Sequence, residues 1–431
     1  MTDHTQTSTM PPRQASPRTR RSRKRLPATQ RGLRLGAVAA PLPLLLAVTA
    51  GAGVIPAQAA SKTGYFPAAH EPPGRGTAPA PVCARQPHTG WKQVPTPNVG
   101  NFAELTGVAV ASSCRAWAVG NYSGGTLIES WDGTAWTQQP SLSPGSAGNG
   151  LFGVAATSAT DAWAVGTYTM TADPTQSQNL IEHWDGTAWK QVPSPNPTAN
   201  SGLSAVAATS PTDAWAVGEY VTGAAIHTLI EHWDGTAWKQ VPSPNPTANS
   251  TLSGVDATSA ANAWAVGRDI NGGVGKTLIE HWNGTAWKQV PSPNPAGNGG
   301  LTAVDATSPT DTWAVGGYST SSMDKTLILH WNGTTWTKDA SPSPGGTNGS
   351  ALSGVAATSP SGAWAVGSYS NLDKTLILHW NGTTWTKVAS PNPSPLANQL
   401  FGVAATSPAN VWAVGIRTNL STFLTLALHC C

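Results

Sequence analysis

The chain has 431 residues, only 10% of them charged, with 45 Gly, 36 Pro and 20 Trp. So many tryptophans exclude a disordered chain and suit a β-rich protein with many turns. The formal charge of +3 is uneven: nine of the 24 basic residues but one of the 21 acids (Asp3) fall in residues 1–59, leaving 15 basic against 20 acidic. A mildly acidic body leaves no electrostatic footprint for a nucleic acid.

Residues 1–59 read as a secretory signal peptide. Arg20, Arg21, Arg23, Lys24, Arg25, Arg31 and Arg34 precede an apolar stretch from Leu35 to Ile55, interrupted by Pro41 and Pro43. Ala57-Gln58-Ala59 then offers a small-residue cleavage site. Arg20-Arg21 stands too far from the apolar core to argue for the twin-arginine route, and an uncleaved anchor is the alternative. No later stretch reaches the roughly 20 apolar residues of a membrane-spanning helix. Residues 60–88, with Pro72-Pro73 and Ala78-Pro79-Ala80-Pro81, read as a Pro/Gly/Ala-rich tether.

From residue 89 onward the chain is a repeat. Trp-Ala-Val-Gly begins at residues 117, 163, 215, 264, 313, 364 and 412, counting Trp-Ala-Val-Gly after Thr312 and Val411 alike. Trp-(Asp/Asn)-Gly-Thr-(Ala/Thr)-Trp follows the first six, from Trp131, Trp184, Trp233, Trp282, Trp331 and Trp380. A period near 50 residues marks an array whose units bury their apolar faces on each other. In residues 203–250 the unit resolves into four short strands: Leu203 to Thr209, Ala214 to Gly218, Thr228 to Trp233 and Thr236 to Val241. Ser210-Pro211-Thr212-Asp213 separates the first two, and Asp234-Gly235 supplies the left-handed turn of a hairpin. Four antiparallel strands per unit make a propeller blade. The small residues of the first strand suit a crowded axis, and Pro242-Ser-Pro244-Asn-Pro246 protects an outer edge.

The two ends complete each other. Trp91-Lys92-Gln93-Val94 matches a fourth strand with no first three before it, while the last unit has Leu426-Ala-Leu-His429 but no fourth strand. The expected fold is therefore an all-β, seven-bladed propeller over residues 89–431, its ring closed by an N-terminal strand in the last blade. Cys83, Cys114, Cys430 and Cys431 all fall near that seam. In an exported protein they suggest two disulfides, with three possible connectivities; the expectation is that Cys430 and Cys431 each bond one of Cys83 and Cys114.

Trp313-Ala-Val-Gly-Gly-Tyr318 followed by Leu327-Ile-Leu-His-Trp-Asn-Gly-Thr-Thr-Trp336 resembles kelch repeats. The order Trp-Ala-Val-Gly, then Asp-Gly-x-x-Trp, is also similar to the Asp-box (BNR-like) repeats of sialidase-type propellers, although Asp185-Gly186 are adjacent here and Asn replaces Asp at 283, 332 and 381. The chain as a whole looks like secreted repeat proteins of actinobacteria. The resemblance implies a propeller over residues 91–431 and no particular activity.

The regular tryptophans are expected to pack between blades. His183, His232, His281, His330, His379 and His429 recur one per blade in the third strand, too dispersed for a metal centre, and are expected to form structural hydrogen bonds. Asp161, Asp213 and Asp311, in the turn before the second strand, are expected to bond backbone amides. Catalysis needs dissimilar residues in dissimilar roles, and the repeat body offers near-copies, with only Arg115, Arg268 and Arg417 as arginines. No cofactor motif is present.

Variation concentrates between the second and third strands, at residues 121–125, 167–178, 219–227, 268–276, 317–325, 368–374 and 416–424. Loops on a rigid scaffold are where binding concentrates. Tyr122, Tyr168, Tyr220, Tyr318 and Tyr369 take the second position there, with Asp269 and Arg417 in the other two blades. These seven are the candidate ligand-binding residues. The expected function is an exported, monomeric, non-catalytic module for polysaccharide or protein at or beyond the cell surface. The competing classes are a carbohydrate-active enzyme with an axial site and a purely structural surface protein.

Overall fold

The computed structural model describes residues 90–170, 176–295, 297–320 and 323–430. Residues 1–89, where the leader and tether are expected, with Cys83 among them, and Cys431 lie outside them.

Seven four-stranded antiparallel sheets follow one another around the ring. Blade one occupies residues 103–139, blade two 148–191, blade three 201–240, blade four 250–289, blade five 298–339 and blade six 350–388. Blade seven joins Ala397–Ser407, Asn410–Asn419 and Thr422–Cys430 to Trp91–Val94. The register is Trp91 opposite Cys430 and Val94 opposite Ala427. The ring closes with a strand from each end, as the orphan sequence requires.

Second and third strands run further than the repeat pattern indicates. In blade three they are Asp213–Thr222 and Ala225–Trp233, with Thr222 facing Ala225 and Ala214 facing Trp233. Residues 219–222 and 225–227 are therefore paired strand, and the connecting turn is two residues long. The ladder outlasts the conserved sequence because backbone pairing asks little of side-chain identity.

One apolar cluster fills each of the seven blade interfaces. The tryptophan of each Trp-Ala-Val-Gly strand docks into the next blade: Trp117 packs against Trp184 and Trp189, with ring centroids 4.8 and 5.2 Å away. Trp215 meets Trp282 and Trp287 in the same way, and Trp412 of blade seven returns to Trp131 and Trp136 of blade one. Tilted and edge-on indoles at these spacings match the aromatic quadrupole. The expected packing role of the tryptophans is what the structure shows.

The glycine of that motif has a steric origin. A Cβ on Gly218 would lie 2.0 Å from the Gly202 carbonyl oxygen of the inner strand, and one on Gly267 equally close to Thr251 O. The hairpin between third and fourth strands is set by Asx chemistry: Asp234 Oδ1 accepts the amides of Thr236 and Ala237 and the Thr236 hydroxyl. Gly235 follows at φ 88°. Asn283 makes the same three bonds, which is why Asn can replace Asp in blades four to six.

Candidate binding surface

Five of the six histidines make the expected structural hydrogen bond; His379, with Gly362 at the acid's position, is held against the Trp364 ring. His232 stacks on Trp215, its register partner, at 4.1 Å. Its Nε2 lies 2.7 Å from Asp213 Oδ1. His183 with Asp161 and His330 with Asp311 repeat the arrangement at 2.7 Å, and in blade four Asn262 takes the acid's place at 2.8 Å. This corrects the expectation for the turn acids. Their carboxylates bind the histidine and, through the other oxygen, the hydroxyl of Thr157, Thr209 or Thr307. The repeat Thr-Ser-x-x-Asp, with histidine 19 to 22 residues on, held that signal. In blade one Ser130 replaces the histidine, and the Arg115 guanidinium lies 5.1 Å over the Trp117 ring instead.

A second set of buried acids escaped the sequence reading as a group with its own chemistry. Glu129, Glu182, Glu231 and Glu280 occupy one third-strand position in blades one to four, each with no solvent exposure. Leu329, Leu378 and Leu428 occupy it in blades five to seven. Glu182 and Glu231 face the proline-rich exit segment of the preceding blade. Glu182 finds partners there: Ser141 donates its hydroxyl at 3.0 Å and Leu142 its amide at 3.2 Å. Pro195 and Pro244 stand at the Leu142 position in later blades and have no amide to give. Glu231 keeps one bond, from the Asn179 side chain at 2.8 Å. Glu280 and Glu129 have no hydrogen-bond partner on either oxygen. Burial pushes Glu129, Glu231 and Glu280 up to about 8, and Glu182, with its two donors opposing, to about 7. These carboxyls are enclosed between blades.

The tyrosines are brought to equivalent places rather than to one patch. Tyr122, Tyr168, Tyr220, Tyr318 and Tyr369 are all half-buried, and each lies in or at the end of a second strand, packed on the cluster shared with the preceding blade. Three of their hydroxyls are engaged locally: Tyr168 donates to Gln178 at 2.6 Å, while Lys338 and Lys387 donate to Tyr318 and Tyr369. Asp269 is buried, and its Oδ1 accepts the Thr247 and Ser250 hydroxyls. Arg417 is half-buried in the seventh blade, opposite Asn398. The neighbouring position carries the other unrepeated charges. Burial raises Glu219 to about 7, opposed by the Arg268 charge. Glu104, opposite Asn121, is likewise raised to about 7 by burial.

What the tyrosine pattern did not reveal is where the exposed large hydrophobics lie. Among the described residues the exposed large hydrophobics are Leu142, Met170, Val274, Leu396 and Leu420. Met170, Val274 and Leu420 lie at the tips between second and third strands; Leu142 and Leu396 lie in connections between blades. Tips and connections share one end of the propeller, joined by bonds such as Ser370 N to Gly349 O at 3.0 Å and Phe423 N to Asn101 O at 2.9 Å. The opposite end, built from the Asp-Gly hairpins and first turns, carries none of the five. No group of three or more His, Cys, Asp or Glu that could hold a metal occurs among the described residues.

No family model matches the sequence, and no curated protein matches it. Solved structures do. YCF48 from Cyanidioschyzon merolae is similar at a TM-score of 0.51 and 15% identity, over 79% of this chain and 99% of its own. YCF48 bound to a D1 peptide gives 0.49 at 14% identity, covering 80% and 97%. A polysaccharide lyase described as an ulvan lyase gives 0.48 at 11%, covering 76% and 95%. The likeness is one of fold.

Proposed function

We propose that the chain is an exported propeller acting as a non-catalytic binding or scaffold module for polysaccharide or protein at the cell surface or outside the cell. The observation that carries this reading is the one-sided distribution of exposed apolar side chains. Solvent-facing Leu, Met and Val on the loops at one end of a rigid ring put contact residues where binding concentrates. The carboxyls with raised affinity for protons favour binding over catalysis, because Glu129, Glu182, Glu231 and Glu280 are shut between blades, away from any substrate.

The test is direct. The mature chain is offered a panel of cell-wall polysaccharides and surface-protein extracts, alongside the double variant Met170→Ser, Leu420→Ser. Saturable binding that weakens in the variant, with no new chain ends released from any polysaccharide, is the expected result. Turnover of a polysaccharide would favour the carbohydrate-active enzyme instead.

Export also bears on the cysteines. No cysteine is free among the described residues. We assign Cys430 and Cys431 to disulfides with Cys83 and Cys114 across the seam; peptide mapping without reductant tests the pairing.

A further inference from the structure

Three features meet at the cleft between blades five and six. Its cavity measures about 370 Å³ and is lined by Asp324, Asn348, Gly349, Ser368, Tyr369 and the 371–372 turn, among others. Ser370, Asn371 and Leu372 follow Tyr369 with φ of 58°, 59° and 73°. Three successive non-glycine residues in the left-handed region are sterically disfavoured and persist only where their surroundings fix them. Here the surroundings do so: Ser370 N and Asn371 N donate to Gly349 O and Asn348 O, and Asn398 N donates to Leu372 O. The facing wall contains the one helical turn among the described residues, Gly346–Asn348. Gly349 stands at φ 76°, where a Cβ would come within 3.2 Å of the Asp324 side chain. The wall is bare backbone where the acid needs room.

We infer that this cleft is a subsite for one neutral sugar residue of a glycan, an inference that rests on the binding-module reading. The volume lies within the range of small-molecule sites. The lining offers a carboxylate, two carboxamides and hydroxyls, which together accept from and donate to vicinal hydroxyl groups. Leu372 and Ala351, both in the lining, add apolar surface against which a sugar ring can lie. Asp324 is positioned by the Ser319 hydroxyl, which donates to its Oδ1. Among the described residues no lysine, arginine or histidine lines the cleft, so a uronate or phosphorylated sugar would meet Asp324 with no compensating charge from the lining. Lys387 lies 4.4 Å over the Tyr369 ring and donates to its hydroxyl, so its charge is already engaged. The ligand class is therefore neutral.

The experiment titrates the mature chain calorimetrically with cellohexaose, mannohexaose, laminarihexaose and chitohexaose, and with hexagalacturonate as the acidic counterpart. At least one neutral oligosaccharide should bind. Asp324→Asn should weaken it by about tenfold, the loss expected of one charge-assisted hydrogen bond. Gly349→Ala should weaken it at least as much by displacing Asp324. The thermal unfolding midpoint of Asp324→Asn should stay at the wild-type value, separating the site from the fold. Neutral binding that neither variant alters would overturn this subsite while leaving the module reading intact. Preference for hexagalacturonate, lost in the variants, would overturn the neutral class. No binding to any of the five would overturn the sugar assignment, and the panel of polysaccharides and proteins then decides the broader reading separately.

Discussion

Cys430 stands opposite Trp91 at the register where each of the other six sheets pairs two tryptophans, as Trp184 faces Trp189 and Trp233 faces Trp238. The incoming Trp364 of blade six therefore meets one indole instead of two, edge-on at 5.3 Å and 83°. It is 7% exposed, against 0 or 1% for the other six tryptophans of its kind. The seam is the thinnest of the seven aromatic joints, and Trp91 carries its remaining aromatic contact. Trp91→Ala should cost about 3–5 kcal/mol, the range for deleting a buried aromatic. Urea unfolding against Trp136→Ala measures it, and a cost under about 1 kcal/mol would contradict the closed ring.

The partnerless glutamates predict a pH dependence. Glu280 has its pKa raised from 4.5 to about 8 by burial. Between those values the folded carboxyl keeps its proton and the unfolded one has lost it. The unfolded state then binds fewer protons, and stability falls as pH rises, at up to about 1.4 kcal/mol per pH unit for each such residue. Below pH 4.5 the contribution is fully present; above about 8 it is gone. His281 and His379, lowered by burial, act in the opposite direction only below pH 6.5, so the window from 7 to 8 isolates the acids. Glu280→Leu, the residue of blades five to seven, should raise the midpoint at pH 8 more than at pH 5. An equal gain at both would show that Glu280 is ionised in the fold.

The motif glycine should be intolerant of even one methyl. Gly218→Ala places a Cβ 2.0 Å from a carbonyl oxygen and should destabilise by about 1–3 kcal/mol, as overpacking does. Gly223→Ala, at a turn with nothing within 4 Å of the added atom, carries only the cost of φ 59°, about 1 kcal/mol. Chemical denaturation of both should rank them in that order.

The hairpin acid holds the turn through Oδ1, while its Oδ2 meets the exposed Lys239 ammonium, an ion pair at the surface that contributes little. Asp234→Asn should change stability by less than about 0.5 kcal/mol, while Asp234→Ala, which leaves two amides unanswered, should cost about 1 kcal/mol or more. Parallel melts decide it, and equal losses would assign the role to charge.

Architecture was legible because the constraints that build it recur. An indole must meet the next blade and a glycine must clear a carbonyl, so both return every 50 residues. The lengths of the second and third strands were not legible, since Glu219-Tyr-Val-Thr and Arg268-Asp-Ile-Asn satisfy the same ladder with unrelated side chains. The tyrosines were visible as a series, but which flank they pack on depends on pleat and neighbour. The cleft at Asp324 depends on the φ angles of Ser370 to Leu372, which no repeat comparison reports. Cys430 could have been found: Leu426-Ala-Leu-His-Cys430 aligns with Leu376-Ile-Leu-His-Trp380.

The closing strand Trp91-Lys-Gln-Val94 is identical to residues 189–192, 238–241 and 287–290. Those three reach their sheets through hairpins of four residues, whereas Thr96 and its partner Thr425 are 329 positions apart. Short loops close first because the entropy to be lost is small. Each interior blade is thus occupied by its own outer strand before the duplicate from the other end can compete. The last vacancy to form is the one it fits, and timing, more than sequence, directs it there.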